Sequence, residues 1–238
     1  MDKVFNHCPV AREYKLGGMQ KFVAERLVAS QHDTASVTAM AEIPAQPLLA
    51  AQQRSRAQGL ASSLTHHMIH LVARCLAQYP RLNGVLHEGM VYEYAQVNVA
   101  LAIAMPNGDL QTVVIREADH KSLADIVRET DALVAAARAG KTTLEHVRGG
   151  TFTISNYGSL QYTTWATPII APGQSGVLGM GRTRPALVAD DSEQGWHVAP
   201  ILPVSFTYDH RIINGVPAGQ FLEDLAQRIQ QLDTENPQ

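Results

Sequence analysis

Basic residues form no run anywhere in the 238-residue chain, and 19 lysines and arginines against 22 aspartates and glutamates leave a formal charge of -3. A nucleic-acid-binding surface needs a basic stripe to neutralise phosphates, so that class of partner is excluded. Cysteine is scarce: Cys8 and Cys75 are the full complement, and neither stands in a Cys-x-x-Cys motif. Two thiols cannot staple a chain of this size and are read as free in a reducing compartment, which predicts a cytoplasmic protein. No stretch of eighteen apolar residues occurs, and Met1 to Val10 lacks the apolar run of a signal peptide, so neither membrane insertion nor secretion is expected. Pro/Ser/Ala-rich linkers and internal repeats are missing as well. With 45% hydrophobic and 17% charged residues the chain can bury a core. The expectation is one α/β domain over residues 1–238, a mixed sheet with helices on its faces.

Periodicity places the elements. After Gly17-Gly18, Met19, Phe22, Val23 and Leu27 fall on one helical stripe. Val37, Ala39, Ala41 and Ile43 alternate as in a strand, and a helix opens near Pro47 and closes at Gly59. Ser63 is the N-cap of a helix carrying Leu64, Met68, Leu71, Val72, Cys75 and Leu76, and Pro80 ends it. Gln96 to Met105 and Thr112 to Ile115 read as a hairpin turning at Pro106-Asn107-Gly108-Asp109. Ser122 and Asp125 have capping-box spacing before a helix that Gly140 ends. Phe152 to Ser155, Ile169-Ile170, Gly176 to Met180 and Ile201 to Tyr208 are strand-like, a last helix begins at Pro217, and Asp233 to Gln238 is a polar tail.

Ten histidines raise the question of a metal, and His66 and His70 have the i, i+4 spacing of two ligands on one helical face. No His-Glu-x-x-His motif surrounds them and no third ligand lies near in sequence. Both avoid the apolar stripe, which predicts solvated or interfacial side chains and no metal. Gly179 and Gly181 lack the third glycine of a dinucleotide-binding turn, and no Gly-x-Ser-x-Gly elbow exists, which disfavours a serine hydrolase. Ser205 to Gly215 ends an apolar strand with Asp209-His210-Arg211 and then a turn. A histidine placed rigidly at a strand end can exchange a proton near neutrality. By spacing alone, the default reading of the triplet is a polar turn whose charges pair with each other.

Four stretches carry a resemblance: Leu16-Gly17-Gly18-Met19-Gln20-Lys21 leading to Ala24-Glu25-Arg26; Tyr79-Pro80-Arg81-Leu82-Asn83; Arg116 to Leu123 with Gly149 to Asn156; and Asp209-His210-Arg211 with Asn214-Gly215. Nearly end to end, the chain resembles the catalytic domain of the 2-oxo acid dehydrogenase acyltransferases, the dihydrolipoamide acyltransferases. The resemblance implies a chloramphenicol acetyltransferase-like two-layer sandwich with a mixed sheet. It implies His210 as the general base that deprotonates the thiol of coenzyme A or dihydrolipoamide, and Ser155 as the hydroxyl that stabilises the tetrahedral oxyanion. Asn214 stands where the family pattern usually has aspartate and implies support for the catalytic loop. Arg182 falls where the family has polar or basic residues near the coenzyme and is expected to contact its phosphates.

Family members are homotrimers whose sites combine histidine from one chain with the hydroxyl residue of its neighbour. The resemblance therefore implies coenzyme A as a substrate-cofactor, a small-molecule acyl acceptor or a lipoyl domain acting in trans, and a homotrimer. The expectation is a catalytic domain with no lipoyl domain, no peripheral-subunit-binding domain and no covalent lipoyl group of its own. The tail after Leu232 has no apolar anchor, which predicts an isolated trimer. Thr112 replaces the family's usual proline and Ala171 an asparagine, pointing to a remodelled acyl or acceptor pocket. The alternatives are an excised catalytic core of a dehydrogenase complex and a non-catalytic trimeric scaffold.

Overall fold

Strand alternation and helical stripes assemble into a sheet with one well-packed helical layer. The structure, a computed structural model, describes residues 3–105, 108 and 110–232, the side chain of Met19 excepted. Its strands are β1 (Val4–Phe5), β2 (Cys8–Pro9), β3 (Ser36–Pro44), β4 (Gly84–His87), β5 (Met90–Glu93), β6 (Val99–Ala104), β7 (Leu110–Ile115), β8 (Phe152–Asn156), β9 (Gly176–Met180), β10 (Arg184–Ala189) and β11 (Trp196–Asp209). Its helices are α1 (Gly18–Asp33), α2 (Gln46–Ala57), α3 (Leu64–Leu76), α4 (Leu123–Arg138), α5 (Leu144–Val147) and α6 (Gly215–Gln231). The turn expected at 106–109 lies largely outside the described residues, as does the tail from Asp233.

The main sheet runs β10-β11-β9-β8-β6-β7, and β3 also pairs with β11. The β6–β8 and β8–β9 pairings are parallel and the rest antiparallel, so the sheet is mixed. Paired residues share a face. Leu101, Ile154, Leu178 and Phe206 form one row, and with Phe152, Met180, Val204 and Tyr208 they join the core residues of α2, α3, α4 and α6. Phe206 and Phe221 lie 4.9 Å apart at its centre. Each such buried side chain contributes about 1.5–3 kcal/mol of apolar transfer, so this cluster fixes which face of the sheet the helices cover. The expectation of helices on more than one face gives way to this: the packed helices share a single core.

Ser63 caps α3 as expected, its Oγ accepting from the His66 N–H at 3.3 Å. Ser122 caps α4, and Gly59, with φ +87°, takes the left-handed position after α2. Three expectations need correction. The α1 stripe does not pack within this chain: Phe22, Val23 and Leu27 are 53%, 43% and 36% exposed. Periodicity shows that a face is apolar, not what covers it. Ile169 and Ile170 form no strand, and Ile170 is buried with its carbonyl accepting from Ser30 Oγ at 2.6 Å. His66 is not solvated but 5% exposed, and neighbouring His67 is 4% exposed. Both find polar partners inside the fold, which pure apolar patterning does not register.

Candidate active site

The last residue of β11, Asp209, is buried at 2% exposure and sets the geometry of the loop that carries His210. Its carboxylate accepts from Arg211 Nε at 3.0 and 3.1 Å, from Arg211 Nη2 at 2.6 Å, and from the backbone N–H groups of Ala35 and Arg211. Burial pushes this carboxyl up, but the hydrogen bonds from Arg211 and Ala35 outweigh it and hold the pKa below the usual carboxylate value. The Asp209 carbonyl accepts from Ile212 and Ile213, closing the turn, and the His210 N–H donates to the Ala35 carbonyl at 2.9 Å. The His210 backbone is thus held from the residue that precedes β3 while its imidazole remains exposed, 5.8 Å from the Tyr208 ring. The turn is a pairing of charges, and it also places a titratable ring. Asn214 is the N-cap of α6, but its side chain makes no cap hydrogen bond.

Ser155 sits elsewhere. It is the fourth residue of β8, half-buried, paired with Ala102 of β6 and Gly179 of β9, and Gly179 pairs in turn with Ser205 of β11. His210 lies five positions beyond Ser205, just past the end of β11. At about 3.3 Å per residue and about 4.8 Å per strand, Ser155 and His210 of one chain lie on the order of 19 Å apart. Their faces differ too. Ser155 is in the row of Gly179 and Ser205, whereas the His210 ring follows Tyr208 on the core side. Gly179 is required between them: a Cβ there would stand 2.6 Å from Ser205 Oγ and 2.9 Å from the Tyr157 ring.

Around Ser155 the structure adds residues that motif spacing did not single out for chemistry. Asn156 donates to Thr65 Oγ1 at 2.8 Å and accepts from the Gly158 N–H at 2.8 Å, tying the end of β8 to the start of α3. The Tyr157 hydroxyl meets Ser205 Oγ at 2.9 Å. A cleft of about 340 Å³ opens at this end, lined among others by His66, Ala102, Thr130, Asp131, Arg138 and Asn156. Arg182 lies two residues past β9 at the same end, exposed and without a hydrogen bond or ion pair to the described residues. The sequence-predicted residues therefore divide into two sets, Ser155 with Arg182 and His210 with Asn214, and one chain does not bring the sets together. A second cavity of about 800 Å³ adjoins the other set, with Arg26, Asp33, Tyr94, Asp209 and Arg211 in its wall. Among the described residues no group of three or more His, Cys, Asp or Glu side chains is placed to hold a metal, and no helix is long and apolar enough to cross a membrane.

Residues 9–235 match the family model of the 2-oxoacid dehydrogenases acyltransferase catalytic domain. The chain belongs to that family. It is 31% identical over 222 residues to the dihydrolipoyllysine-residue succinyltransferase component of the Escherichia coli K12 2-oxoglutarate dehydrogenase complex, covering 89% of this chain and 53% of that protein. It spans about half the length of the curated relatives it matches. Among solved structures, a probable dihydrolipoamide acetyltransferase from Listeria monocytogenes superposes with TM-score 0.87 at 27% identity, covering 95% of this chain and 97% of the other. The Azotobacter vinelandii dihydrolipoamide acetyltransferase, solved to study a serine, a histidine and an asparagine in its mechanism, gives 0.84 at 26% identity with 93% and 92% covered. Chloramphenicol acetyltransferase, at TM-score 0.57 and 16% identity over 86% of this chain and 94% of that one, shares the fold. The two-layer mixed α/β architecture and the acyltransferase class expected from the motifs are those of this family.

Proposed function

We propose that this acyltransferase domain moves an acyl group between coenzyme A and a second thiol, that of a dihydrolipoyl group carried in trans or of a small acceptor. His210 Nε2 takes the proton of the attacking thiol, and the thiolate adds to the thioester carbonyl. Ser155 Oγ donates a hydrogen bond to the oxyanion that forms. Collapse expels the other sulfur as thiolate, which recovers the proton from the imidazolium. A thiol with a pKa of about 8.5 is mostly protonated at neutral pH, so a positioned base contributes about 10²–10⁴ in rate and an oxyanion donor about 10²–10³. Asn214, four residues after His210, matches the spacing of the histidine and asparagine studied in the Azotobacter enzyme. Arg138 in the cleft and Arg182 beside it are free to meet the coenzyme phosphates, and the coenzyme enters at the Ser155 end.

The observation that carries this reading is the separation of Ser155 from His210 across the sheet register. A working site then needs His210 of one copy facing Ser155 of another, as in a cytoplasmic homotrimer of a unit spanning 1–238. The test is transfer from acetyl-coenzyme A to dihydrolipoamide by mixed assemblies. His210→Ala and Ser155→Ala proteins are each inactive, but unfolded and refolded together at equal amounts they recover about a quarter of parental turnover, because one interface in four pairs two intact halves. No recovery from the mixture, with both halves proven to co-assemble, overturns the shared site.

A further inference from the structure

The cleft at the Ser155 end contains a donor and an acceptor that the chemistry above leaves unused. His66 is almost fully buried, yet its ring lines the cleft. Its Nδ1 accepts from the Ser63 N–H at 3.2 Å, which places the ring proton on Nε2. Nε2 points at Asp131 Oδ1 from 3.4 Å, too long for a good N–H···O bond, and that carboxylate is 62% exposed on the cleft side. Burial holds the imidazole pKa below its usual value against the opposing pull of Asp131, so the ring is neutral at cellular pH. Among the other polar groups of this wall, Arg138 and Ser159 are exposed, Arg138 offering donors only, and the rest are committed or hidden. Ser63 Oγ caps the helix, Thr65 Oγ1 takes the Asn156 amide, and Thr130 Oγ1 is buried without a partner.

A neutral N–H and a carboxylate side by side fit a group that accepts and donates through one atom. A hydroxyl does this. A trans amide does not, because its carbonyl and N–H point in opposite directions. The arm of coenzyme A between phosphate and thiol carries two amides and one hydroxyl. We infer that His66 and Asp131 seat the hydroxyl of this arm, His66 Nε2 donating to it and Asp131 accepting from it, which makes them specificity-determining residues of the donor cleft. Arg138, two turns along α4 from Asp131 on the same face, then lies on the phosphate side of the seat. This inference rests on the proposed function in taking coenzyme A as the occupant.

The test compares calorimetric binding of coenzyme A with that of its analogue bearing hydrogen in place of that hydroxyl, using the full chain. The parent prefers coenzyme A by about tenfold, the size of a hydrogen bond to a charged partner. In His66→Asn, which keeps an acceptor for the Ser63 N–H but loses the Nε2 donor, the preference falls toward one. Asp131→Asn, at an exposed position that leaves the fold intact, lowers it as well. Because each ratio is taken within one variant, a general loss of affinity from altered packing does not move it. A parent that binds both ligands equally overturns the hydroxyl seat while leaving the donor cleft standing. A parent that binds neither overturns the cleft assignment too, and a preference unchanged in both variants overturns the roles of His66 and Asp131.

Discussion

At the His210 end of the sheet a charge is buried and fully engaged: Asp209 accepts from Arg211 and from two backbone N–H groups, and the loop that follows closes on its carbonyl. At the Ser155 end the buried polar groups are neutral. Buried His66 accepts from the Ser63 N–H in the cap of α3, exposed Asn156 ties β8 to α3 through Thr65 and holds its own turn through Gly158, and the cleft beside them is open. One end is rigid because a carboxylate holds four N–H donors at once, and the other is receptive because its groups retain unused capacity. A proton-transfer group belongs on the rigid end, where a small displacement is costly in rate, and a ligand arm belongs at the open one. Under the proposed function, a separation on the order of 19 Å within one chain calls for a second copy to complete the site.

The largest effect that tests this division is on turnover. His210→Ala lowers kcat by about 10²–10⁴ and Ser155→Ala by about 10²–10³, with KM for the acyl donor nearly unchanged in the first. Steady-state rates with acetyl-coenzyme A and dihydrolipoamide read both, and a His210→Ala protein within threefold of the parent sinks the assignment of the base. Next in size is Asp209→Asn. Replacing the carboxylate removes the charge-assisted bonds but keeps the shape, and because Arg211 is 40% exposed the expected loss is only about 2 kcal/mol. Urea unfolding measures that loss. With the His210 loop loosened, kcat falls while KM holds. A stability loss with kcat intact makes Asp209 a purely structural residue and removes the link between rigidity and proton transfer.

The fold was legible where a local rule decides it. Ser63, Ser122, Pro47 and Gly59 mark helix ends through capping and backbone geometry, and β8 and the end of β11 alternate large apolar with polar residues. Where several local forces compete, it was not. Pro185 and the short alternation of β10 hid that strand, and β4 and β5 leave their outward side chains in water. Ile169-Ile170 is apolar because Ile170 is buried, not because a strand forms. At the site, the Asp-His-Arg triplet and Ser155 were legible through the family motifs, but the distance between them belongs to sheet register, which no single segment encodes. His66 was misjudged as solvated because a helical stripe records apolar residues and misses a buried imidazole whose Nδ1 is used by its own N-cap. Its partner Asp131 lies 65 positions away in sequence, on α4. The signal that existed was the third position after Ser63, where capping-box partners stand.

The smallest expected effect separates the two ends by acid. On α3, His67 and His70 are pushed down to about 4, chiefly by burial and further by nearby cationic or imidazole groups. Their unfolded pKa is about 6.5, so below that value the unfolded chain binds more protons than the folded one, and stability declines as pH falls from about 6.5 toward 4. Asp209 acts lower. Its folded pKa is depressed, so its contribution is complete above the unfolded value near 3.9 and is lost only as pH falls through the folded one. Mild acid therefore loosens the Ser155 end first. Amide hydrogen exchange at pH 5, corrected for intrinsic rates, should show protection falling in residues 64–76 while residues 205–214 keep theirs. The buried imidazoles supply the reason, so His67→Gln and His70→Gln together should flatten the decline between pH 6.5 and 4. Equal loss of protection in both segments at pH 5 would mean that the ends unfold as one unit, and that the difference in their chemistry does not extend to their stability.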